Sequence, residues 1–199
     1  MADAGLLRAW WQRWRGRLQP RPFPYADAAI LASPLRGMFA SPSRILGAFG
    51  LGGGERVLEI GPGIGYYSCE AAARVGESGR LVCLDVQRDM LLATRRSLAA
   101  RHQTAAFVEA SAVVLPFRSG AFDRVLLITA LGEIPERSGA LREIHRILRP
   151  GGTVCVSEQL PDPDFVTPAT LRAEMRAAGF VEDVTTRHLA IAYTSTWRR

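Results

Sequence analysis

The 199-residue sequence predicts an α/β domain in which helices cover both faces of a mostly parallel sheet. Two observations support this prediction. Short apolar segments that are typical of buried strands alternate along the chain with segments of helical periodicity. In addition, the apolar segment 57–60 is followed by three closely spaced glycines and then by a helical pattern. A strand, a glycine-rich turn and a helix form the opening unit of a Rossmann-like fold, in which a nucleotide-type ligand lies over the turn.

The remaining elements follow in order. Predicted strands cover 56–60, 80–85, 104–108, 122–128, 152–158, 180–185 and 189–196, and predicted helices cover 64–75, 87–101, 138–148 and 168–178. The turn Pro150-Gly151-Gly152 is expected to end the third of these helices and to start the fifth strand. We assign residues 51–199 to a single ligand-binding domain that is large enough to bury a core, and residues 1–50 to an amphipathic helix followed by cap helices.

The glycine-rich turn favours one ligand over another. A dinucleotide-binding turn has the pattern G-x-G-x-x-G/A, but here the third glycine, Gly65, comes one residue early and Tyr66 takes the helix-packing position. No lysine follows the turn, so it is not a P-loop. Glu59 precedes the turn, and a carboxylate suits the ammonium and sulfonium groups of S-adenosylmethionine better than a diphosphate. The turn therefore favours S-adenosylmethionine over NAD.

At this point the chain resembles the class I S-adenosylmethionine-dependent methyltransferases, over about residues 40–199. The matching motifs, in order, are VLEIGPGIGYYS, VCLDVQRDML, LPFRSGAFDRVLLITALGEI, ALREIHRILRPGGTVCVSE and LRAEMRAAGF. The resemblance is greatest to the small-molecule group that includes ubiquinone/menaquinone C-methyltransferases. It implies a seven-stranded sheet whose last strand is antiparallel, S-adenosylmethionine as cofactor and S-adenosylhomocysteine as product.

The predicted binding residues follow the carboxyl ends of the strands, where ligands bind in open parallel sheets. Asp85 is expected to accept hydrogen bonds from both ribose hydroxyls, and Val86 to offer an apolar face to the adenine. The aspartate that many relatives carry after the third strand is absent, so Ser111 or backbone groups are expected to bond the adenine amino group. The predicted cofactor-binding set is Glu59, Gly61, Gly63, Gly65, Asp85, Val86, Ser111, Ala112 and Thr129.

The sequence assigns no catalytic residue. Methyl transfer from a sulfonium depends mainly on alignment and water exclusion, and only some acceptors need a base. The candidate bases near the carboxyl edge are Glu133, Glu158, Asp162 and, less strongly, His188, whereas His102 and His145 fall on helices away from the expected pocket. The three cysteines lack C-x-x-C spacing, so we expect buried, reduced thiols and no metal site; these are Cys69, Cys83 and Cys155.

The N-terminal region carries most of the basic charge. Residues 1–50 contribute +5 of the net +6, entirely through arginine. Apolar side chains recur at helical spacing in the segment 6–18, which predicts an amphipathic helix containing Trp10, Trp11 and Trp14. This helix could pack on its own domain or on a second subunit of a homodimer, lie on a membrane surface, or contact nucleic acid. The family resemblance further implies that segment 25–49 covers the acceptor pocket, with Tyr25, Met38 and Phe39 as candidate lining residues.

These observations predict a methyltransferase that acts on a small, apolar acceptor and has no nucleic-acid partner. No run of 18 apolar residues and no convincing signal peptide are found, which favours a cytoplasmic location, peripheral to the membrane if segment 6–18 binds there. The first alternative is a non-catalytic methyltransferase-fold scaffold, against which the intact glycine turn and Asp85 argue. An NAD-dependent oxidoreductase would need Tyr66 to be tolerated. A nucleic-acid methyltransferase would need a recognition domain or an aromatic-flanked Asn/Asp-Pro-Pro motif, and neither is found.

Overall fold

The computed structural model describes Pro24 and residues 41–160, 162–188 and 191–199. The predicted amphipathic helix 6–18 and the candidate lining residues Tyr25, Met38 and Phe39 lie outside the described residues. Within the described part, the helices are α1 (Pro42–Ala48), α2 (Ser68–Val75), α3 (Arg88–Ala99), α4 (Arg137–Ile147) and α5 (Pro168–Ala177), with a short 3-10 helix at Leu131–Glu133. The strands are β1 (Arg56–Ile60), β2 (Arg80–Asp85), β3 (Ala106–Glu109), β4 (Phe122–Ile128), β5 (Leu148–Gln159), β6 (Val181–His188) and β7 (Ala192–Arg198).

The strands form one seven-stranded sheet in the order β3-β2-β1-β4-β5-β7-β6. Strands β1 to β5 pair in parallel, and β7 is antiparallel to both of its neighbours, β5 and β6. This topology confirms the predicted fold class, including the antiparallel last strand. Because β1 lies between β2 and β4, the strand order reverses at the β1–β4 pair, which is where ligands bind in this type of sheet.

Apolar side chains on both faces of the central strands hold the helices to the sheet. On one face, Leu58 and Leu127 join a core with buried residues of α4 and α5. On the other face, Val57 and Leu126 join a second core with Leu46 of α1 and with buried residues of α2 and α3. Consecutive residues of β1 thus serve opposite cores, as expected for a strand with side-chain period two and helices on both sides.

Outside β1, β2 and β4, most predicted boundaries differ from the structure by one to three residues, and two larger differences have a structural reason. Helix α2 begins at Ser68 and not at residue 64, because Gly65 has a φ of +86° and therefore cannot belong to an α-helix. Strand β5 begins at Leu148, directly after α4, so Pro150-Gly151-Gly152 lies inside β5 and does not precede it. There the pairing with β4 becomes irregular between Phe122 and Arg124. A Cβ on Gly152 would lie 3.0 Å from the carbonyl oxygens of Arg149 and Asp123, which explains the need for glycine in this tight segment.

The predicted state of the cysteines agrees with the structure. Cys69, Cys83 and Cys155 are all buried and carry free thiols. Among the helices in the described ranges, none is long and apolar enough to span a bilayer.

Candidate functional site

The glycine turn after β1 has a backbone conformation that other residues rarely adopt. The φ angles of Gly61, Gly63 and Gly65 are +71°, +60° and +86°. The Gly61 amide donates a hydrogen bond to the Leu84 carbonyl (2.9 Å), and the Gly65 amide donates to the Pro62 carbonyl (3.0 Å). Glycine populates positive φ without the Cβ penalty of other residues, so the three predicted glycines are the ones that this turn requires.

The turn is also packed too closely for side chains. A Cβ on Gly61 would lie 2.8 Å from Cβ of Ala130, and a Cβ on Gly65 would lie 3.1 Å from Cα of Thr94. From α3, the Thr94 hydroxyl donates to the Gly63 carbonyl (2.9 Å) and the Ser97 hydroxyl donates to the Ile64 carbonyl (2.7 Å). These bonds fix the turn before any ligand arrives, which lowers the entropic cost of binding.

Asp85 ends β2 beside the turn. Its side chain is 9% exposed, and its Oδ1 accepts a hydrogen bond from the Gln87 amide (2.9 Å). Burial raises the pKa of Asp85 to about 6, although the Gln87 and Val86 amides partly oppose the shift. The next side chain, Val86, is 47% exposed. A carboxylate that can accept two hydroxyl donors thus lies next to an open apolar surface, as a ribose and its base require.

The segment after β3 lies next to Asp85, because the Ala110 amide donates to the Asp85 carbonyl (3.1 Å). Ser111 is exposed, and its hydroxyl accepts a hydrogen bond from the Val113 amide (3.3 Å). Ala112 is 6% exposed and packs into the core on the α4 and α5 face. Ser111 therefore presents its side chain at this edge, whereas the methyl group of Ala112 contributes to the core.

Thr129, which follows β4, has an unusual backbone conformation. Its φ is +52°, and a β-branched residue at positive φ is an outlier that costs of order 1–3 kcal/mol. The Thr129 amide donates to the Ser157 carbonyl of β5 (2.8 Å). The next residue, Ala130, faces Gly61 across the switch point. The strain at Thr129 has no signature in the sequence, since threonine is not a residue that predicts a left-handed backbone.

Glu59 is a buried carboxylate near the end of β1. It is 2% exposed, and the Cys83 thiol lies 3.8 Å from its Oε2. Burial raises the pKa of Glu59 to about 7, and the neighbouring Ser68 hydroxyl and Cys83 thiol partly oppose the shift. Among the described residues, no arginine forms an ion pair with Glu59. A buried acid of this kind gains free energy when a cationic group comes near it.

Two of the candidate bases interact electrostatically with the third. Glu158 is 1% exposed and lies opposite Tyr193 in the β5–β7 register. Burial raises the pKa of Glu158 well above its usual range, and the charges of Asp162 and Glu133 raise it further. Asp162 and Glu133 are both half-buried. The three predicted carboxylates thus all lie at the carboxyl edge of β4 and β5, where the charges of Asp162 and Glu133 raise the pKa of Glu158.

The histidines are dispersed. His188 ends β6 at the same edge of the sheet, two strands away from β5, where its Nε2 lies 3.0 Å from the Thr194 hydroxyl. The ring of His145 packs edge-to-face on Phe180, with 5.1 Å between ring centroids. His102 is exposed after α3 and has a φ of +55°. His102 and His145 thus lie outside the carboxylate group, as predicted.

A switch point with this glycine turn, an acid ending β2 and a seven-stranded sheet with an antiparallel β7 defines the Rossmann-like methyltransferase class of protein. Comparison with known families agrees, since the family described as "Methyltransferase domain" matches residues 58–156. Residues 58–156 of this chain thus match the methyltransferase-domain family, and the fold is that of the class I S-adenosylmethionine-dependent methyltransferases.

Individual relatives extend the comparison. The chain is 36% identical over 111 residues to the ubiquinone/menaquinone biosynthesis C-methyltransferase of Hahella chejuensis, a match that covers 55% of this chain and 45% of that protein. The chain thus spans less than half the length of this relative. Among solved structures, an S-adenosylmethionine-dependent methyltransferase from Aquifex aeolicus superposes with a TM-score of 0.81 at 19% identity, over 88% of this chain and 98% of that one.

A second solved structure shows why the fold alone does not define the reaction. The [4+2]-cyclase SpnF superposes with a TM-score of 0.70 at 20% identity, over 79% of each chain. A protein of this fold can therefore carry a name that denotes a different reaction. Methyl transfer is therefore inferred from the residues of the site and from the family match.

Proposed function

We propose that this protein transfers a methyl group from S-adenosylmethionine to a small, apolar acceptor. The observation that carries the proposal is the preformed turn Gly61–Gly65 at the β1–β4 switch point, with the carboxylate of Asp85 and the open face of Val86 beside it. A dinucleotide would place a diphosphate near Glu59, whereas S-adenosylmethionine places no phosphate there. The matched methyltransferase-domain family supports the same choice.

Each part of the site has a task in this proposal. S-adenosylmethionine supplies an activated methyl group on a good leaving group. Asp85 binds the ribose hydroxyls, Val86 packs on the adenine, and the glycine turn allows the backbone to approach the cofactor without a Cβ in the way. A cation that comes near Glu59 favours its ionised form, so Glu59 then provides negative charge for the cationic amino-acid portion. The protein then contributes mainly alignment and the exclusion of water.

The proposed acceptor is apolar for two reasons. The relatives are named as C-methyltransferases of ubiquinone/menaquinone biosynthesis, which favours an acceptor of similar chemistry. In this chain, the edge next to Glu158 carries two large apolar side chains, Leu160 (43% exposed) and Ile191 (36% exposed). The Leu160 amide donates to the Ile191 carbonyl (2.7 Å), so the two residues lie side by side where β5 ends and β7 begins.

The proposal is tested first by binding. Isothermal titration calorimetry is expected to show micromolar binding of S-adenosylhomocysteine and S-adenosylmethionine and no binding of NAD(H). Binding of NAD without a response to S-adenosylhomocysteine would contradict the cofactor assignment.

The transfer itself is tested with methyl-labelled S-adenosylmethionine and a total extract of the source organism. Label is expected in the organic-soluble fraction, in a small molecule. Label in protein or nucleic acid, or no label at all from a protein that binds the cofactor, would contradict the proposed reaction.

A further inference from the structure

Thr129 has a strained backbone that its local sequence does not explain. In the described part of the chain, two residues other than glycine have a positive φ, Thr129 at +52° and His102 at +55°. His102 has a local cause, because it follows the end of α3. Its amide donates to the Ala99 carbonyl (3.0 Å), and a left-handed residue is common where a helix ends. Thr129 instead follows a strand, and threonine is branched at Cβ, which makes this conformation a genuine outlier.

The strain at Thr129 is maintained by its neighbours. The Thr129 amide donates to the Ser157 carbonyl of β5 (2.8 Å), and the next residue, Ala130, lies against Gly61 of the glycine turn. Strained residues persist where the surrounding structure fixes them, and they cluster at functional sites. Glycine would adopt the same backbone conformation at lower cost, because it lacks a Cβ. A threonine here therefore lowers the stability of the protein, and its side chain is the one feature that glycine would not supply.

Thr129 lies on the opposite side of the glycine turn from Asp85. Asp85 ends β2, Thr129 follows β4, and β1 lies between these two strands in the sheet. In the proposed function the ribose binds at Asp85 and the adenine at Val86, so a cofactor that crosses the turn directs its amino-acid portion towards β4. Thr129 is half-buried, so part of it remains accessible at this edge.

We propose that Thr129 is held in its strained conformation so that its hydroxyl group binds the amino-acid portion of S-adenosylmethionine, with a loss of stability as the consequence. This inference rests on the proposed function. A hydroxyl group both donates and accepts hydrogen bonds, so it can pair with either the carboxylate or the ammonium group of that portion. Glu59 belongs to β1, whereas Thr129 supplies a polar group on the β4 side of the turn.

The experiment compares two probes by calorimetric titration. S-adenosylhomocysteine carries the amino-acid portion, whereas methylthioadenosine keeps the adenine, the ribose and the sulfur but lacks that portion. Thr129→Gly is expected to weaken the binding of S-adenosylhomocysteine by about 10-fold or more, which is the effect of one hydrogen bond to a charged group. The same variant is expected to leave the affinity for methylthioadenosine unchanged. Asp85→Ala is expected to weaken both probes, because both contain the ribose.

Two further variants separate the hydroxyl group from the strain. Thr129→Ser keeps the hydroxyl group and is expected to retain the wild-type affinity for S-adenosylhomocysteine. His102→Gly is the matched control, because it relieves a similar φ at an exposed residue after α3. It is expected to raise the melting temperature and to leave both affinities unchanged. Thr129→Gly is expected to melt no lower than the wild type, although it binds S-adenosylhomocysteine more weakly.

The inference is overturned if Thr129→Gly binds S-adenosylhomocysteine as tightly as the wild type, if it weakens both probes equally, or if Thr129→Ser does not retain the affinity. A melting temperature of Thr129→Gly well below that of the wild type would contradict the strain. If methylthioadenosine binds too weakly to measure, the comparison of Thr129→Gly with Thr129→Ser decides the question. A failure of the proposed function is distinct from these outcomes, because the wild type would then bind no S-adenosylhomocysteine.

Discussion

Gly61 lies very close to Ala130. The packing of the glycine turn can therefore be tested by adding a methyl group at position 61 and removing the methyl group at position 130. In Gly61→Ala the new Cβ would lie 2.8 Å from Cβ of Ala130, and the residue would keep a φ near +71°. The substitution therefore introduces two penalties, one from the backbone conformation and one from the overlap. In Gly61→Ala/Ala130→Gly the partner methyl group is removed, so only the backbone penalty and the loss of the Ala130 side chain remain.

The magnitudes follow from these contacts. A non-glycine residue in the left-handed region costs about 1–2 kcal/mol. Overpacking against a well-packed neighbour costs about 1–3 kcal/mol more. Gly61→Ala is thus expected to lower the free energy of unfolding by about 2–5 kcal/mol, and the coupling energy with Ala130→Gly is expected to be about 1–3 kcal/mol. Gly54→Ala is the control, because Gly54 has a similar φ of +81° but only the flexible Ser78 hydroxyl near its Cβ position, at 3.7 Å.

The assay is equilibrium urea unfolding of the four members of the cycle and of Gly54→Ala, with calorimetric titration of S-adenosylhomocysteine on each. Gly54→Ala is expected to lose only about 1–2 kcal/mol of stability and to bind the cofactor product normally. Gly61→Ala is expected to bind it at least 10-fold more weakly. Steric overlap at Gly61 is excluded if Gly61→Ala is no more destabilising than Gly54→Ala, or if the effects of Gly61→Ala and Ala130→Gly are additive.

Three further predictions follow. Asp85→Ala is expected to weaken S-adenosylhomocysteine binding by about 10- to 100-fold in calorimetry with an unchanged circular dichroism spectrum, since a hydrogen bond to a charged group contributes about 1.5–3 kcal/mol; unchanged affinity would show that Asp85 points elsewhere. Burial raises the pKa of Glu59 to about 7, whereas its pKa in the unfolded chain is about 4.3. Between these pH values the folded protein keeps a proton that the unfolded chain has lost, so the stability of the folded protein falls as pH rises from about 4.3 to about 7. Urea unfolding is therefore expected to show Glu59→Gln roughly 1–3 kcal/mol more stable than the wild type at pH 8 but similar to it at pH 4, with Glu77→Gln as an unaffected control; an equal effect at both pH values would contradict the shift. Deleting residues 1–19 is expected to lower the melting temperature or change the oligomeric state, and neither the full chain nor the shortened chain is expected to sediment with anionic vesicles. Vesicle binding by the full chain alone would instead favour a membrane contact of segment 6–18.

The sequence predicts elements whose signal is local. The bounds of β1, β2 and β4 agree with the prediction at every end residue, because each is an apolar run with a clear break on both sides. Asp85 could be placed for the same reason, since it ends such a run. The start of α2 was missed because the sequence does not show that Gly65 adopts a positive φ, although an early third glycine was visible. The start of β5 was missed because proline and glycines inside a strand normally indicate a turn.

Properties that arise from distant contacts could not be predicted. Burial and the charges of Asp162 and Glu133 raise the pKa of Glu158, and none of these effects is visible in the local pattern. The left-handed backbone of Thr129 is imposed by its neighbours, since its amide bonds Ser157 of the next strand and Ala130 packs on Gly61. The sequence thus identified candidate groups, whereas their protonation and strain follow from the assembled sheet.

The 3-10 helix at Leu131–Glu133 connects the two halves of the site physically. On one side, Ala130 at its start packs against Gly61 of the cofactor turn. On the other side, a Cβ on Gly132 would overlap the carbonyl oxygen of Asp164, in the loop that follows Asp162. Gly61 and Gly132 are both required, because a Cβ on Gly61 would collide with Cβ of Ala130 and a Cβ on Gly132 would collide with the carbonyl oxygen of Asp164. Since close-packed contacts transmit displacements, the position of the cofactor turn constrains Glu133 and the loop beside Glu158. The glycine turn at the switch point and the loop after β5 are thus parts of one packed unit.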